Sequence, residues 1–307
     1  MIQQFDSLFT LLRAFPDEQA AIDHFRAIRW ANGAYCPYCG GAEIYTFADN
    51  RTHKCKACRQ RFSIKVGTIF EDTKIGLQKW FMAIWLATSH KKGIASVQLA
   101  KDIKVTQKTA WFMLHRLRHA AQTGSFNKPL DGMVEVDETY VGGREANKHA
   151  HKRTAGTQGR STKTKTPVIG ILKRGGELRA TTVRALDART IRAYIEANVA
   201  PGSNVMTDEF AGYTGLAPTY HHHTVNHSAG EYVRHHYAHT NGIEGFWALL
   251  KRGIMGIYHH VSPKHLGRYV DEFEYRYNRR EMGENARVND LLANVSGKRL
   301  TYKGLIA

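Results

Sequence analysis

At 307 residues the chain has room for two or three small domains, and a hydrophobic content of 42% with 10% aromatics is enough to bury cores and excludes a disordered polymer. Lysine and arginine outnumber aspartate and glutamate by 44 to 27, for a net charge of +17 and a pI near 9.8, so the expected partner is a polyanion, nucleic acid first. No basic amphipathic helix or lipid signal points to a membrane, the longest strongly apolar run (residues 80–88) is far short of the roughly 20 needed to span one, and the opening Met-Ile-Gln-Gln-Phe-Asp lacks the basic start of a secretory signal, so a cytoplasmic, nucleoid-associated protein is expected.

A helical segment is expected over residues 1–30. The only four cysteines follow, in Cys36-Pro-Tyr-Cys39 and Cys55-Lys-Ala-Cys58, a C-x2-C-x15-C-x2-C pattern at the short edge of zinc-ribbon spacing. Two tight knuckles joined by a hairpin place four thiolates around Zn²⁺. A pair of disulfides is the competing reading, which a cytoplasmic setting disfavours. With no further cysteine available, the site over residues 31–70 is closed and structural. Arg51, Lys54, Lys56, Arg59, Arg61 and Lys65 occur with no acid between residues 50 and 65, whereas a solvated face mixes signs. The ribbon is therefore expected to contact phosphate, with Arg59 and Arg61 as its candidate DNA contacts.

A small helical domain is expected over residues 71–123. Its first helix, residues 77–88, carries Trp80, Phe81, Ile84, Trp85 and Leu86 as core. Residues 93–103 and 106–118 then form two helices around a short Lys-Val link, with Thr106 as N-cap, a helix-turn-helix pattern. In that motif Gln107, Lys108 and Thr109 face the major groove. An ordinary helical hairpin is the alternative.

Residues 124–129 are expected as a linker and 131–290 as a second domain. Strands are expected at 133–141, 167–173, 178–186, 204–207 and 223–227, with helices at 188–199 and 240–252 and a short one after 207. A Gly175-Gly176 hairpin joins the second and third strands, and another helix starts at Ser262-Pro263. Three antiparallel strands followed by alternating helix and strand is the order of an α/β, ribonuclease-H-like fold. Residues 142–167 interrupt the first hairpin with Arg144, Lys148, Lys152, Arg153, Arg160, Lys163 and Lys165 against Glu145 alone. This insertion is expected to be mobile without DNA and to order against phosphates through Lys152, Arg153 and Lys163, or else to serve solubility only.

Asp137, Asp208 and Glu244 fall at a strand, a strand end and a helix start, with Lys251 seven residues on, two turns and about 10 Å along the same helix face. Taken singly, each acid reads as a surface charge or cap. Together, at separations of 71 (208 − 137) and 36 (244 − 208), they match carboxylates gathered around two divalent ions for in-line phosphoryl displacement, with the lysine on a nearby phosphate. Glu135 shares the strand face of Asp137 and competes with it, while Glu138 points the other way and, like Glu209, is expected to support the site or lie at the surface. The histidine runs 221–223, 235–236 and 259–260 lack ligand geometry, and Mg²⁺ prefers oxygen, so they are read as near DNA or solvent, with His239 the one best placed beside the site.

Val136-Asp137-Glu138-Thr139-Tyr140-Val141-Gly142-Gly143, Thr207-Asp208-Glu209-Phe210-Ala211-Gly212-Tyr213 and His239-Thr240-Asn241-Gly242-Ile243-Glu244-Gly245-Phe246-Trp247 resemble the DDE transposases of bacterial insertion sequences that carry an N-terminal zinc ribbon. The likeness continues through Leu249-Leu250-Lys251-Arg252-Gly253 and residues 258–266, and with the ribbon covers about residues 15–290. It implies a Mg²⁺- or Mn²⁺-dependent enzyme that binds its element's ends, cleaves them and joins the freed 3′-hydroxyl to target DNA, as a dimer or larger assembly on DNA. Asp137 would bridge two ions, Asp208 and Glu244 would hold one each, and Lys251 would contact a phosphate. Trp247 either stacks on a splayed base or belongs to the core. A non-catalytic DNA-binding regulator and a nuclease that cuts without joining are the rival readings.

Overall fold

The computed structural model describes residues 3–122, 128–143, 145–157, 161–226, 229, 233–234 and 237–307. Residues 124–127 of the expected linker, Arg144 and Arg160 of the basic insertion, residue 227 of the last expected strand and the 235–236 histidine pair lie outside the described residues. The chain divides into two units, Met1–Gln122 with Glu281–Ala307, and Thr123–Arg280.

In the first unit α1 (Leu8–Ala14) and α2 (Glu18–Arg29) open on side-chain caps, Ser7 accepting from the Thr10 amide and Asp17 from that of Ala20. The strands β1 (Ile44–Thr46), β2 (Thr52–Cys55) and β3 (Arg61–Ser63) make an antiparallel sheet in that order. Helix α3 (Leu77–Ser89) buries residues on all sides, Trp80, Phe81, Ile84 and Leu86 among them, as a helix apolar all round must. Helices α4 (Ser96–Asp102) and α5 (Gln107–Ala121) follow, turned by Lys104 at φ 51° and by Thr106, whose hydroxyl accepts from the Thr109 amide. The sequence reading ran the second domain to residue 290. Instead α9 (Glu284–Ala293) packs against α2 and α3, burying Val288, Leu291 and Leu292. Its polar flank is tied down as well: Arg287 donates to the Thr88 carbonyl at 3.1 Å, and His24 meets Asn289 at 2.9 Å. A last short helix, α10 (Tyr302–Ile306), sets Tyr302 edge-on to Phe112.

The second unit is a five-stranded sheet of β4 (Met133–Val141), β5 (Thr166–Lys173), β6 (Leu178–Thr182), β7 (Asn204–Asp208) and β8 (His221–Val225), in the order β6-β5-β4-β7-β8. The first three run antiparallel, and β4, β7 and β8 run parallel. The β5–β6 hairpin turns at Gly175, φ 67°, a left-handed position that suits glycine. Parallel neighbours need a crossover, supplied between β6 and β7 by α6 (Ala188–Asn198). Alternation along β4 sends Val134 and Val136 to a core with Ile191 and Ile195 of α6. The opposite face packs Val168, Leu172 and Leu178 against α7 (Asn241–Gly253) and α8 (Pro263–Asn278) through Ile243, Phe246, Trp247, Leu250, Leu266, Val270 and Phe273.

Three boundaries differ from the sequence reading. β6 stops at Thr182 rather than 186, because the chain leaves the sheet toward the Asp187 cap of α6. β8 begins at His221, two residues before the expected start, so all three histidines of 221–223 lie on it. A π-helical turn, Ile254–Tyr258, extends α7. No helix among the described residues is long and apolar enough to cross a membrane.

Candidate active site and zinc centre

In the ribbon, the Gly40 amide donates to the Cys36 carbonyl at 2.9 Å and the Arg59 amide to that of Cys55 at 3.1 Å, closing two knuckles; Gly40 and Arg59 both take positive φ. Sγ atoms of Cys36 and Cys58, and of Cys39 and Cys55, are 3.6 Å apart, and all four lie within 4.8 Å of one another. A tetrahedron of thiolates at Zn–S distances of about 2.3 Å has edges of about 3.8 Å, so the four cysteines fit a zinc ion with no position left open.

The three acids come from three elements. The β4–β7 ladder pairs Met133 with Asn204 and Glu135 with Met206, an offset of 71 (204 − 133). Continued two residues, the same offset sets Asp137 beside Asp208 (208 − 137 = 71), so the sequence separation of the two aspartates is the register of two adjacent parallel strands. Asp208 ends β7, and its Oδ1 accepts from the Phe210 amide at 3.0 Å. Glu244 lies in the first turn of α7, and Thr240 Oγ1 donates to it at 2.7 Å.

Trp247 closes the floor. Gly170 is the β5 partner of Asp137, and a Cβ there would stand 2.7 Å from Trp247 Cη2, so glycine leaves the space the indole fills. The indole Nε1–H then donates to Asp137 Oδ2 at 3.0 Å. At 4% exposure Trp247 is a core residue, which replaces its reading as a stacking platform for a base. Both oxygens of Glu135 have partners of their own. Its Oε1 accepts from Arg174 Nε at 2.7 Å and lies 3.3 Å from His239 Nδ1, while Oε2 accepts from the Ile243 amide at 3.0 Å. His239 thus sits beside Glu135.

Burial pushes the Asp137 carboxyl up to about 8, and the charges of Glu138, Asp208 and Glu244 add to the rise. A buried carboxyl whose proton affinity is raised by neighbouring acids is an oxygen donor that suits a hard divalent cation. Among the described residues, only the cysteines form a group of potential ligands within 4.8 Å of one another, so the carboxylate set is the more open of the two. Lys251 is half-buried; burial lowers its pKa, Asp137 opposes that shift, and Lys165 adds to it. Both lysines line a cavity of about 490 Å³ with Tyr140, His259, His260 and Leu266.

The remaining candidates are spread over the two units. Arg59 and Arg61 line a groove of about 410 Å³ with Lys54, Lys56, Tyr45 and Phe47, and Arg61 lies over the Phe47 ring at 5.0 Å. Lys65, counted with them in the sequence, pairs instead with Glu18 at 3.2 Å. Gln107 and Lys108 are exposed at the start of α5, Gln107 donating to Ser96 Oγ at 2.9 Å and Lys108 standing over Tyr302, with Thr109 half-buried behind them. In the insertion, Glu145–Asn147 and Ala150–Lys152 form 3₁₀ turns. Lys152 and Lys163 are exposed, but the Arg153 guanidinium donates to the carbonyls of Lys148 and Ala146, both at 3.0 Å, which makes it a local brace. The 221–223 histidines alternate across β8 and cannot converge on one ion; His222 meets Thr207 Oγ1 at 2.9 Å. Sequence reasoning missed Arg174, Tyr213 and the role of Gly170. Only the alternation of β4 hinted at partners for Glu135 and Glu138.

Residues 129–278 match the ISXO2-like transposase domain and residues 16–61 the transposase zinc-ribbon domain. An uncharacterized protein in transposable element ISH50 of Halobacterium salinarum is 30% identical over 277 residues, covering 86% of this chain and 92% of that one. The crystal structure of a pre-cleavage Mos1 transpososome aligns over 72% of this chain and 79% of its own, at 12% identity and a TM-score of 0.25, too low to bear on the fold. With a zinc ribbon and this domain in one chain, and an insertion-element relative matching along nearly its whole length, the protein belongs to the ISXO2-like family of insertion-sequence transposases.

Proposed function

We propose that the protein is a Mg²⁺- or Mn²⁺-dependent DNA strand transferase that binds the ends of its own insertion sequence, cleaves there and joins the freed ends to target DNA. The observation that carries this reading is the register of β4 and β7, paired from Met133–Asn204 to Glu135–Met206, with the charges of Asp208 and Glu244 acting on Asp137 just beyond it. The strand order β6-β5-β4-β7-β8, with three antiparallel strands and then two parallel additions, supports a ribonuclease-H-like fold for this unit.

Asp137, Asp208 and Glu244 would hold two divalent ions, which supply positive charge to both the entering and the leaving oxygen of a phosphodiester. Trp247 fixes the rotamer of Asp137, the Phe210 amide that of Asp208, and Thr240 that of Glu244. Lys251 and Lys165 would take the phosphate beside the scissile bond. No side chain is needed as nucleophile: water attacks first and the released 3′-hydroxyl second, and alignment with charge supplies the acceleration. In the first unit, α4 and α5 with exposed Gln107 and Lys108 support a helix-turn-helix reader, and the basic, aromatic groove of the ribbon supports phosphate contact. Pairing two element ends calls for a dimer or larger assembly on DNA, in the cytoplasm at the nucleoid.

The test is incubation with Mg²⁺ and a plasmid carrying candidate element ends. Joined products are expected. Cut but unjoined products would make the protein a nuclease, and a mobility shift alone would make it a regulator.

A further inference from the structure

The acids on either side of Asp137 are both buried, Glu135 at 1% exposure and Glu138 at 8%, and they point to opposite faces of β4. A buried carboxylate needs partners, and Glu135 finds them on the helix that carries Glu244, Glu138 on the turn that follows Asp208.

Glu135 reaches α7. Its Oε2 accepts from the Ile243 amide at 3.0 Å, one residue before Glu244, so a strand carboxylate fills the role of a helix cap. Its Oε1 accepts from Arg174 Nε at 2.7 Å, and the same guanidinium donates to the carbonyls of Tyr237 at 2.6 Å and His239 at 2.8 Å, in the segment that leads into α7. Gly242 makes room for this contact, since a Cβ there would stand 2.8 Å from Glu135 Oε2. On the other face Glu138 Oε2 accepts from Tyr213 Oη at 2.6 Å. Tyr213 ends the 3₁₀ turn Ala211–Tyr213, which follows the Asp208 side chain's own bond to the Phe210 amide.

We propose that Glu135 and Glu138 are positioning residues for metal binding: Glu135 fixes the start of α7, and so Glu244, against β4, while Glu138 fixes through Tyr213 the turn that follows Asp208. Neither takes a metal ion. Asp137 stands between the two clamps, so one strand sets the spacing of all three ligands. The inference rests on the assignment of Asp137, Asp208 and Glu244 as metal ligands.

The experiment measures Mn²⁺ binding to the full-length protein from the electron paramagnetic resonance signal of free Mn²⁺, with thermal melting of every variant alongside. Wild type and Asp137→Asn come first. If neither takes up Mn²⁺, or both bind it alike, the ligand assignment is wrong and the inference falls with it. If wild type binds and Asp137→Asn does not, the clamps are tested. Glu135→Ala and Tyr213→Phe should each weaken Mn²⁺ binding by about 10–100-fold, the range for losing a group that orients a metal ligand. Glu135→Gln should recover most of the loss, because an amide oxygen still accepts from the Ile243 amide. Gly242→Ala crowds the Glu135 carboxylate and Leu172 Cδ2, each 2.8 Å from the added Cβ, and should weaken Mn²⁺ binding at temperatures below its own melting transition. It and Tyr213→Phe decide the matter if Glu135→Ala does not fold. Folded clamp variants that bind Mn²⁺ as wild type does would overturn the proposal.

Discussion

The zinc ribbon and the carboxylate site proposed to hold divalent ions are assembled in opposite ways. The ribbon draws its ligands from two knuckles within 23 consecutive residues (36 to 58), and local turns set the thiols 3.6 Å apart. The carboxylate site draws on residues 137, 208 and 244, and only the pairing of β4 with β7 and the docking of α7 bring them together. The first is a closed tetrahedron whose ligation substitutes for a core consisting of little more than Cys36, Cys55 and Phe62. The second rests on a fully packed sheet, and its carboxylates can be left open to substrate. A structural site thus follows from local chain geometry, whereas a catalytic one needs a fold that is stable without the ion.

Separate removal of each set of ligands tests this contrast, and the largest effect belongs to the carboxylates. Asp137→Asn, Asp208→Asn and Glu244→Gln should each lower strand transfer by about 10³-fold or more, the scale of losing a main electrostatic stabiliser, with melting temperature and end binding within a few-fold of wild type. Joining at a near wild-type rate by any one of them would remove that residue from the triad. Cys55→Ser should do the reverse. The single zinc per chain is lost and residues 33–70 unfold, while the sheet of the second unit keeps its melting transition. Metal analysis of protein purified without chelator checks the stoichiometry, and finding no zinc would refute the assignment.

The same contrast governs what could be read from sequence. The cysteine spacing stated the ribbon outright, because the chemistry is carried by near neighbours. The run from 133 to 141 was legible as β4 to the residue, and the 71-residue separation of the aspartates already contained the strand register. What stayed hidden depends on tertiary partners. Nothing local reveals that Trp247 lies over Gly170, that Arg174 in a hairpin turn serves Glu135, or that Tyr213 reaches Glu138. The end of the second domain was misplaced because the apolar face of α9 could cover either core, and only packing on α2 and α3 decides between them.

Protonation separates the two sites next. Burial pushes Asp137 up from its ordinary 3.8 to about 8, so below that pH a divalent ion would have to displace a proton there. Mn²⁺ affinity should therefore rise as pH rises toward 8, by up to about tenfold per unit, and level off above it. For the metal-free protein the sign is opposite. A carboxyl raised in the folded state stabilises fully below its unfolded pKa, and that contribution is lost as pH rises through about 8. Melting curves with and without Mn²⁺ should diverge with increasing pH. A gap independent of pH, or one absent in wild type and Asp137→Asn alike, would contradict the assigned protonation.

Trp247→Phe sharpens the reading of the floor. It keeps most of the packing over Gly170 but removes the indole donor to Asp137, at a cost of about 1.5–3 kcal/mol for a hydrogen bond to a charged group. The expected result is weaker cleavage at limiting Mn²⁺ with unchanged affinity for single-stranded DNA. A base-stacking role predicts unchanged cleavage at limiting Mn²⁺ as well, since phenylalanine still stacks.

The smallest effects concern DNA contacts, where a folded reader is again set against a dispersed one. Gln107 is held by Ser96 at the start of a capped helix, whereas Lys152 and Lys163 project from the insertion in the second unit. Arg153 is left out of the test, because its guanidinium braces the carbonyls of Ala146 and Lys148 and its loss would disturb the loop itself. Gln107→Ala should cost about 1–3 kcal/mol on element ends and narrow the gap to random DNA, as the removal of a base-reading side chain does. Replacing Lys152 and Lys163 with glutamine should weaken binding to both DNAs alike and reduce the slope of log affinity against log salt by about 2, close to one unit for each phosphate no longer neutralised. Affinities for both DNAs at several salt concentrations distinguish the two behaviours. If the lysine variant loses end preference while Gln107→Ala keeps it, the insertion reads sequence, and α4 and α5 are a structural spacer.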